Sequence, residues 1–160
     1  MDNKLLSLIE DDASLTDEQL AAMLGKEKGD IRKLIDQYEK DGVILGKKAL
    51  IDWDKTDREY VTAFIEVKIQ PQREFGFDRI AERIYNYPEV KSLYLMSGGF
   101  DFFVMIEGRT MREVAYFVAQ KLATVESVTS TATHFVLKKF KNEGVVYKTP
   151  EVDERIEGGA

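Results

Sequence analysis

Residues 15–51, LTDEQLAAMLGKEKGDIRKLIDQYEKDGVILGKKALI, decide how the first part of the chain folds. Thr16 with Gln19 three residues on has the form of a capping box, and Leu15 stands to Leu20 at the spacing of a hydrophobic staple. Asp17 and Glu18 fall in the first turn, where carboxylates suit the helix dipole, and Gly25 can close the far end. A helix of about two turns is predicted there. Ile31, Leu34, Ile35 and Tyr38 then recur at i, i+3, i+4 and i+7, which predicts a longer helix with one buried face. Gly42 stops it, and VILGKKALI (43–51) reads as two short strands with Gly46 and Lys47 near the turn. Upstream, Leu5, Leu6, Leu8 and Ile9 form the stripe of a short amphipathic helix ending near Asp12. Helix, helix, turn, helix, hairpin is the order of a winged helix-turn-helix.

Beyond Ile51 the pattern changes. Residues 52–59, DWDKTDRE, are polar and acidic and suit a linker, with Trp53 able to pack on either side of it. TAFIEVKI (62–69) alternates as a strand does, and FDRIAERIYNY (77–87) places Ile80, Ile84 and Tyr87 on one side of a helix. VKSLYLM (90–96) and FFVMIE (102–107) are predicted strands joined through Ser97-Gly98-Gly99. MREVAYFVAQKL (111–122) returns to helical spacing, and SVTSTATHFVL (127–137) is a last strand rich in β-branched residues. The fold class is therefore α+β: a winged helix-turn-helix over 1–51, a linker over 52–59, and a β-α-β-β-α-β ferredoxin-like domain over 60–142. Residues 143–160 are expected to begin as an extended arm and to end polar and glycine-rich.

Composition narrows the function classes. With 160 residues and 44% apolar content, the chain can fill two small cores at most, so self-association is expected to complete them. It has no cysteine, which excludes disulfides and thiolate metal sites and agrees with a reducing compartment. No basic leader precedes an apolar run and no segment has spanning length, so a cytoplasmic protein with no membrane partner is expected. A formal net charge of −6 argues against coating nucleic acid by charge alone, so any such contact must rest on a local cluster.

The two-domain order resembles the Lrp/AsnC (feast/famine) family of bacterial and archaeal regulators over roughly residues 2–142. Gly25, Ile31, Ile35 and Gly42-Val43-Ile44 resemble the family's recognition helix and its exit into the wing. Gly98-Gly99-Phe100-Asp101 resembles the Gly-Asp-Tyr-Asp hairpin of its sensor domain, and Thr131 and Thr133 before Phe135-Val136-Leu137-Lys138 resemble its Thr-rich final strand. Two positions depart from the pattern. Glu27 stands where the family usually has an N-cap Ser, and Leu34 where it usually has Arg. Glu is the poorer cap, and turned outward it repels phosphate.

Residues 26–48 hold the only stretch of the first half with a positive balance. Lys26, Lys28, Arg32, Lys33 and Gln37 are placed for base or phosphate contact at a helix in the major groove of double-stranded DNA, and Lys47 and Lys48 for backbone contact from the wing. Charge alone fits a solvated mixed face equally well; the helix order favours DNA. In the second half, the Gly98-Gly99 turn lets backbone amides approach a carboxylate, and Asp101 suits an ammonium. Thr129, Thr131 and Thr133 offer hydroxyls along one strand face. The same residues also fit an ordinary hairpin and β-forming threonines. The resemblance implies an amino-acid effector at Gly98, Gly99, Phe100, Asp101, Thr131 and Thr133, bound between dimers. A helix-free sheet face needing cover suggests a homodimer, and the resemblance implies further assembly, commonly to an octamer.

The rival class is an enzyme, because a tetrapyrrole decarboxylase group shares this two-domain plan. His134 is the only histidine, and no carboxylate cluster with metal spacing accompanies it, so no catalytic residue, cofactor or metal is assigned. A co-regulator with weak DNA binding is a third reading, kept open by Glu27, Leu34 and the net acidity.

Overall fold

The computed structural model describes residues 1–70 and 76–148. They fall into two compact units that divide between Ile51 and Asp52. In the first, α1 (Asn3–Asp11), α2 (Asp17–Leu24) and α3 (Lys28–Lys40) enclose a core of Leu5, Ile9, Leu20, Ile31, Ile35 and Tyr38. Each fully buried aliphatic side chain there contributes roughly 1.5–3 kcal/mol relative to exposure. The capping box is complete: the Thr16 hydroxyl accepts from the Gln19 amide at 3.2 Å, and the Gln19 side chain accepts from the Thr16 amide at 2.8 Å. Gly25 ends α2 in the left-handed region at φ +63, where a Cβ would be strained. Asp2 caps α1 by accepting from the Leu5 amide at 3.1 Å, and its own amide donates to the Tyr38 hydroxyl at 2.6 Å, which ties the start of α1 to the end of α3.

The two strands expected over 43–51 do not form. Gly42 at φ +69 turns the chain out of α3, and the amides of Val43 and Ile44 both donate to the Tyr38 carbonyl, at 2.8 and 3.1 Å. These bonds close the helix end. From Leu45, which is 92% exposed, to Ile51 the chain pairs with no strand. A two-stranded ribbon is marginal in water without a third strand or a packing face, and this unit supplies neither.

The second unit opens on a 3-10 turn at Trp53–Lys55, with the Arg58 guanidinium 4.3 Å above the Trp53 ring, so the expected linker is locally ordered. Then come β1 (Val61–Ile69), α4 (Phe77–Tyr85), β2 (Val90–Leu95), β3 (Phe102–Gly108), α5 (Met111–Phe117) with a π turn at Val118–Leu122, and β4 (Val128–Phe135). The sheet is antiparallel in the order β2-β3-β1-β4. Alternation along β1 sends Ala63, Ile65 and Val67 into the core, where they meet Phe102, Val104 and Ile106 of β3, Ile80 and Ile84 of α4, and Val114 and Phe117 of α5. Phe64, Glu66 and Lys68 point the other way. Among the described residues no helix is long and apolar enough to cross a membrane.

The expected extended arm is different as well. Lys141–Asn142 (β5) and Val145–Val146 (β6) pair as a small hairpin, turned by Glu143 at φ +46 and Gly144 at φ +78. Two successive positive φ values mark a type I′ turn, whose signal here was Glu-Gly rather than the commoner Asn-Gly. The remainder of the expected tail, 149–160, lies outside the described residues.

Candidate nucleic-acid interface and ligand site

Helix α3 buries Ile31, Ile35 and Tyr38. At about 3.6 residues per turn, Lys33, Gln37 and Lys40 then project on the opposite side. Lys33 is the most open of the expected contacts, its side chain 83% exposed with Asp30 at 3.9 Å. Lys26, Lys28, Arg32 and Gln37 are engaged within the unit. Lys26 pairs with Asp2 at 3.0 Å, and Lys28 pairs with Glu18, which raises the lysine above its ordinary range and lowers the carboxyl. Arg32 donates through Nε to Asp36 at 2.8 Å, with Asp17 and Glu39 at 3.9 and 3.8 Å. Gln37 donates to both carboxylate oxygens of Asp41 at 2.8 Å. Lys47 and Lys48 are exposed on the unpaired segment, and among the described residues neither is ion-paired. Glu27 is the N-cap residue of α3 and makes no side-chain capping bond, so that helix starts with free amides.

In the second unit the hairpin between β2 and β3 holds Gly98 at φ +118, and a Cβ on Gly98 or Gly99 would meet nothing within 4 Å. The backbone there is open to approach. Asp101 is not the free charge expected. Its carboxylate accepts from the Ile69 amide at 2.7 Å, and its own amide donates to the Val67 carbonyl at 3.0 Å. The cause lies in β1, whose pairing with β3 stops at Val67 and Phe102; the Ile69 amide beyond it has no strand acceptor on that side and donates to Asp101. One oxygen of Asp101 is thus committed to holding the end of β1.

Thr131 and Thr133 pair with Val67 and Ile65, half-buried on the helix side of the sheet. Thr129 sits where the register of β1 with β4 shifts, between Lys68 and Ile69, and donates its hydroxyl to the Lys68 carbonyl at 3.2 Å, apart from the other two. Val67 therefore stands between Asp101 on one side and Thr131 on the other. The hairpin and the threonines approach the same strand from opposite neighbours. Phe100 packs on Phe103, with ring centroids 5.9 Å apart, and Phe103 stacks on Phe64 at 5.1 Å. A cavity of about 350 Å³ beside α4 and β2, lined by Phe77, Ala81, Tyr85, Leu93 and Phe102 among others, includes none of the expected ligand residues.

One pairing on the helix-free face was missed. His134 Nε2 lies 3.1 Å from Glu66 Oε2, diagonal across β1 and β4. Two-residue alternation places both on that face, but only the register brings them together. Among the described residues no group of His, Asp and Glu is placed to hold a metal ion.

Comparison with known proteins extends this picture. Residues 62–146 match the sequence model described as the Lrp/AsnC ligand binding domain. The chain is 46% identical over 156 residues, covering 97% of it and 94% of the relative, to the uncharacterized HTH-type transcriptional regulator YugG of Bacillus subtilis. It is 25% identical over 142 residues, 89% of this chain and 90% of the relative, to the leucine-responsive regulatory protein of Rhizobium meliloti. Among solved structures, a Neisseria meningitidis transcriptional regulator in complex with L-Met superposes with a TM-score of 0.70 at 23% identity, covering 87% of this chain and 89% of that one. Escherichia coli AsnC superposes with a TM-score of 0.66 at 18% identity, covering 87% and 93%.

Proposed function

The chain belongs to the Lrp/AsnC family of transcriptional regulators, and on that premise we propose how its two units divide the work. The protein is a DNA-binding transcriptional regulator modulated by a small molecule, not an enzyme. The observation that carries this reading is the 46% identity running through both units to a relative named as an HTH-type regulator, together with the ligand-binding-domain match.

In the first unit, α2, the Gly25 turn and α3 act as the helix-turn-helix, with α3 in the major groove. Lys33 and Gln37 stand outermost for base edges. Lys26, Lys28 and Arg32 reach phosphate by exchanging carboxylate partners, and Lys47 and Lys48 meet the backbone from the exposed segment that takes the wing's place. Because each exchange first costs an internal pair, one protomer holds DNA weakly and two are needed on a palindromic site. Cover for the helix-free face comes from a homodimer, burying the run Phe64, Phe103 and Phe100.

In the second unit the effector is an amino acid at Gly98, Gly99, Phe100, Asp101, Thr131 and Thr133. The L-Met complex of the Neisseria relative supports that ligand class. With the hairpin and the threonines on opposite neighbours of β1, the site is completed where dimers associate, and binding there is coupled to assembly up to an octamer. Asp101 keeps one oxygen for the ligand ammonium. Selection of bound fragments from a genomic library, with and without pooled amino acids, tests the reading. A recurrent palindromic site whose occupancy responds to the pool is expected. Absence of any enriched site overturns DNA regulation, and an enriched site indifferent to the pool overturns the effector.

A further inference from the structure

The hairpin that closes the described chain is flanked by a close cluster of cations. Lys138, Lys139, Lys141 and Lys148 lie within eleven residues against the single acidic residue Glu143. Among the described residues none of the four is ion-paired, whereas Lys26, Lys28, Arg32 and Lys33 all are. Two of the four lie over aromatic rings, Lys138 over Phe140 and Lys139 over Tyr60, each at 5.0 Å. Phe140 is itself 69% exposed. The Tyr147 amide donates to the Phe140 carbonyl at 2.9 Å, and the type I′ turn fixes the ribbon, so the cations are displayed on an ordered edge.

We propose that this basic, aromatic hairpin is a second DNA-contacting surface, which takes the phosphate backbone of duplex DNA without reading its sequence. The inference rests on the DNA-binding reading given above. Charge complementarity selects the occupant: four unpaired cations with exposed ring and aliphatic surface match phosphates and the sugars between them. DNA is favoured over an anionic lipid surface because the reading above already gives the chain a duplex partner, and four of the first unit's cations, Lys26, Lys28, Arg32 and Lys33, are held by carboxylates. Phosphate contacts from the hairpin add to that affinity. Each neutralised phosphate contributes about 0.9 to the slope of log affinity against log salt. Four contacts steepen the slope by about 3.6, a loss of about 150-fold between 50 and 200 mM salt, and two contacts give about 12-fold.

The test uses the full chain and a 150-bp duplex of mixed sequence, titrated across that salt range. The variant Lys138→Gln/Lys139→Gln/Lys141→Gln/Lys148→Gln keeps most of each stem and removes the charge. It is expected to flatten the slope by at least about 2, while Lys47→Gln/Lys48→Gln leaves the hairpin's share in place. Glu143→Gln, with the fold untouched, is expected to raise affinity about threefold. Wild-type binding with an unchanged slope in the quadruple variant overturns the proposal and leaves the DNA-binding reading standing. No binding by wild type at any salt overturns both. Loss of binding to phosphatidylserine vesicles, with DNA affinity intact, assigns the hairpin to lipid and overturns the proposal as well.

Discussion

Replacing Asp101 separates the bond it makes to β1 from the ligand role proposed for it. Asp101→Ala removes the acceptor for the Ile69 amide, held at 2.7 Å in a partly buried bond where β1 and β4 fall out of register. An amide left without an acceptor costs about 1–3 kcal/mol, and the partial exposure puts this site in the lower half of that range. For a cooperative unit of this size, that is a fall in Tm of about 4–10 °C. Asp101→Asn keeps an acceptor oxygen and loses only the charge. A charge-assisted bond is roughly twice as strong as a neutral one, so the Asn variant should lose less than about 1 kcal/mol. Ammonium recognition, in contrast, fails in both variants. Thermal and urea unfolding of the three proteins, each followed by amino-acid titration against assembly state, read the two roles independently. An Ala variant as stable as wild type refutes the assignment of Asp101 to the end of β1. An Asn variant that still responds to amino acids removes its charge from the ligand site.

Three further outcomes follow from single contacts. A Cβ at Gly108 would stand 3.0 Å from Val114 Cγ2, so Gly108→Ala should destabilise the second unit by about 1–3 kcal/mol in urea unfolding. Glu27→Ser gives α3 the side-chain cap it lacks and removes a negative charge beside the expected phosphates; both stability, by about 1 kcal/mol, and DNA affinity should rise. Four carboxyls of the first unit sit below their ordinary range: Asp2 through the Leu5 amide and then Lys26, Asp12 through Ser14, Glu18 through Lys28, and Asp36 through Arg32. Since the folded values are the depressed ones, their stabilisation is complete above about pH 5 and is lost as pH falls through them. Tm measured from pH 7 to pH 3 should therefore drop, and Asp2→Asn should flatten part of that drop.

Short-range chemistry carried most of what the sequence disclosed. The Thr16–Gln19 cap, the Gly25 stop and the Ile31, Ile35, Tyr38 stripe are decided within a few residues of themselves, and they stand as expected. Alternation along 62–69 likewise told which residues face the core. The departures came where a second strand had to be known. No local signal showed that Ile69 leaves its register and takes the Asp101 carboxylate, or that His134 falls beside Glu66. At 43–51 apolar content was read as pairing although the unit has no strand for it to join. The hairpin at 141–146 was hidden by an uncommon turn pair. Among the expected DNA contacts, charge was legible and its availability was not, because the partners of Lys26 and Lys28 lie in other helices.

If α3 meets DNA as proposed, those internal partners bear on how the protein searches a genome. A helix whose cations already hold carboxylates offers random DNA little reason to detain it, since every phosphate gained is offset by an acid released. On the proposed reading α3 itself then adds little to residence on the wrong sequence, whatever hold the hairpin has there. Where base-edge contacts reward the full exchange of partners, the proposed α3 contact would lengthen the complex's life, which puts its selectivity in the dwell time rather than in the first encounter.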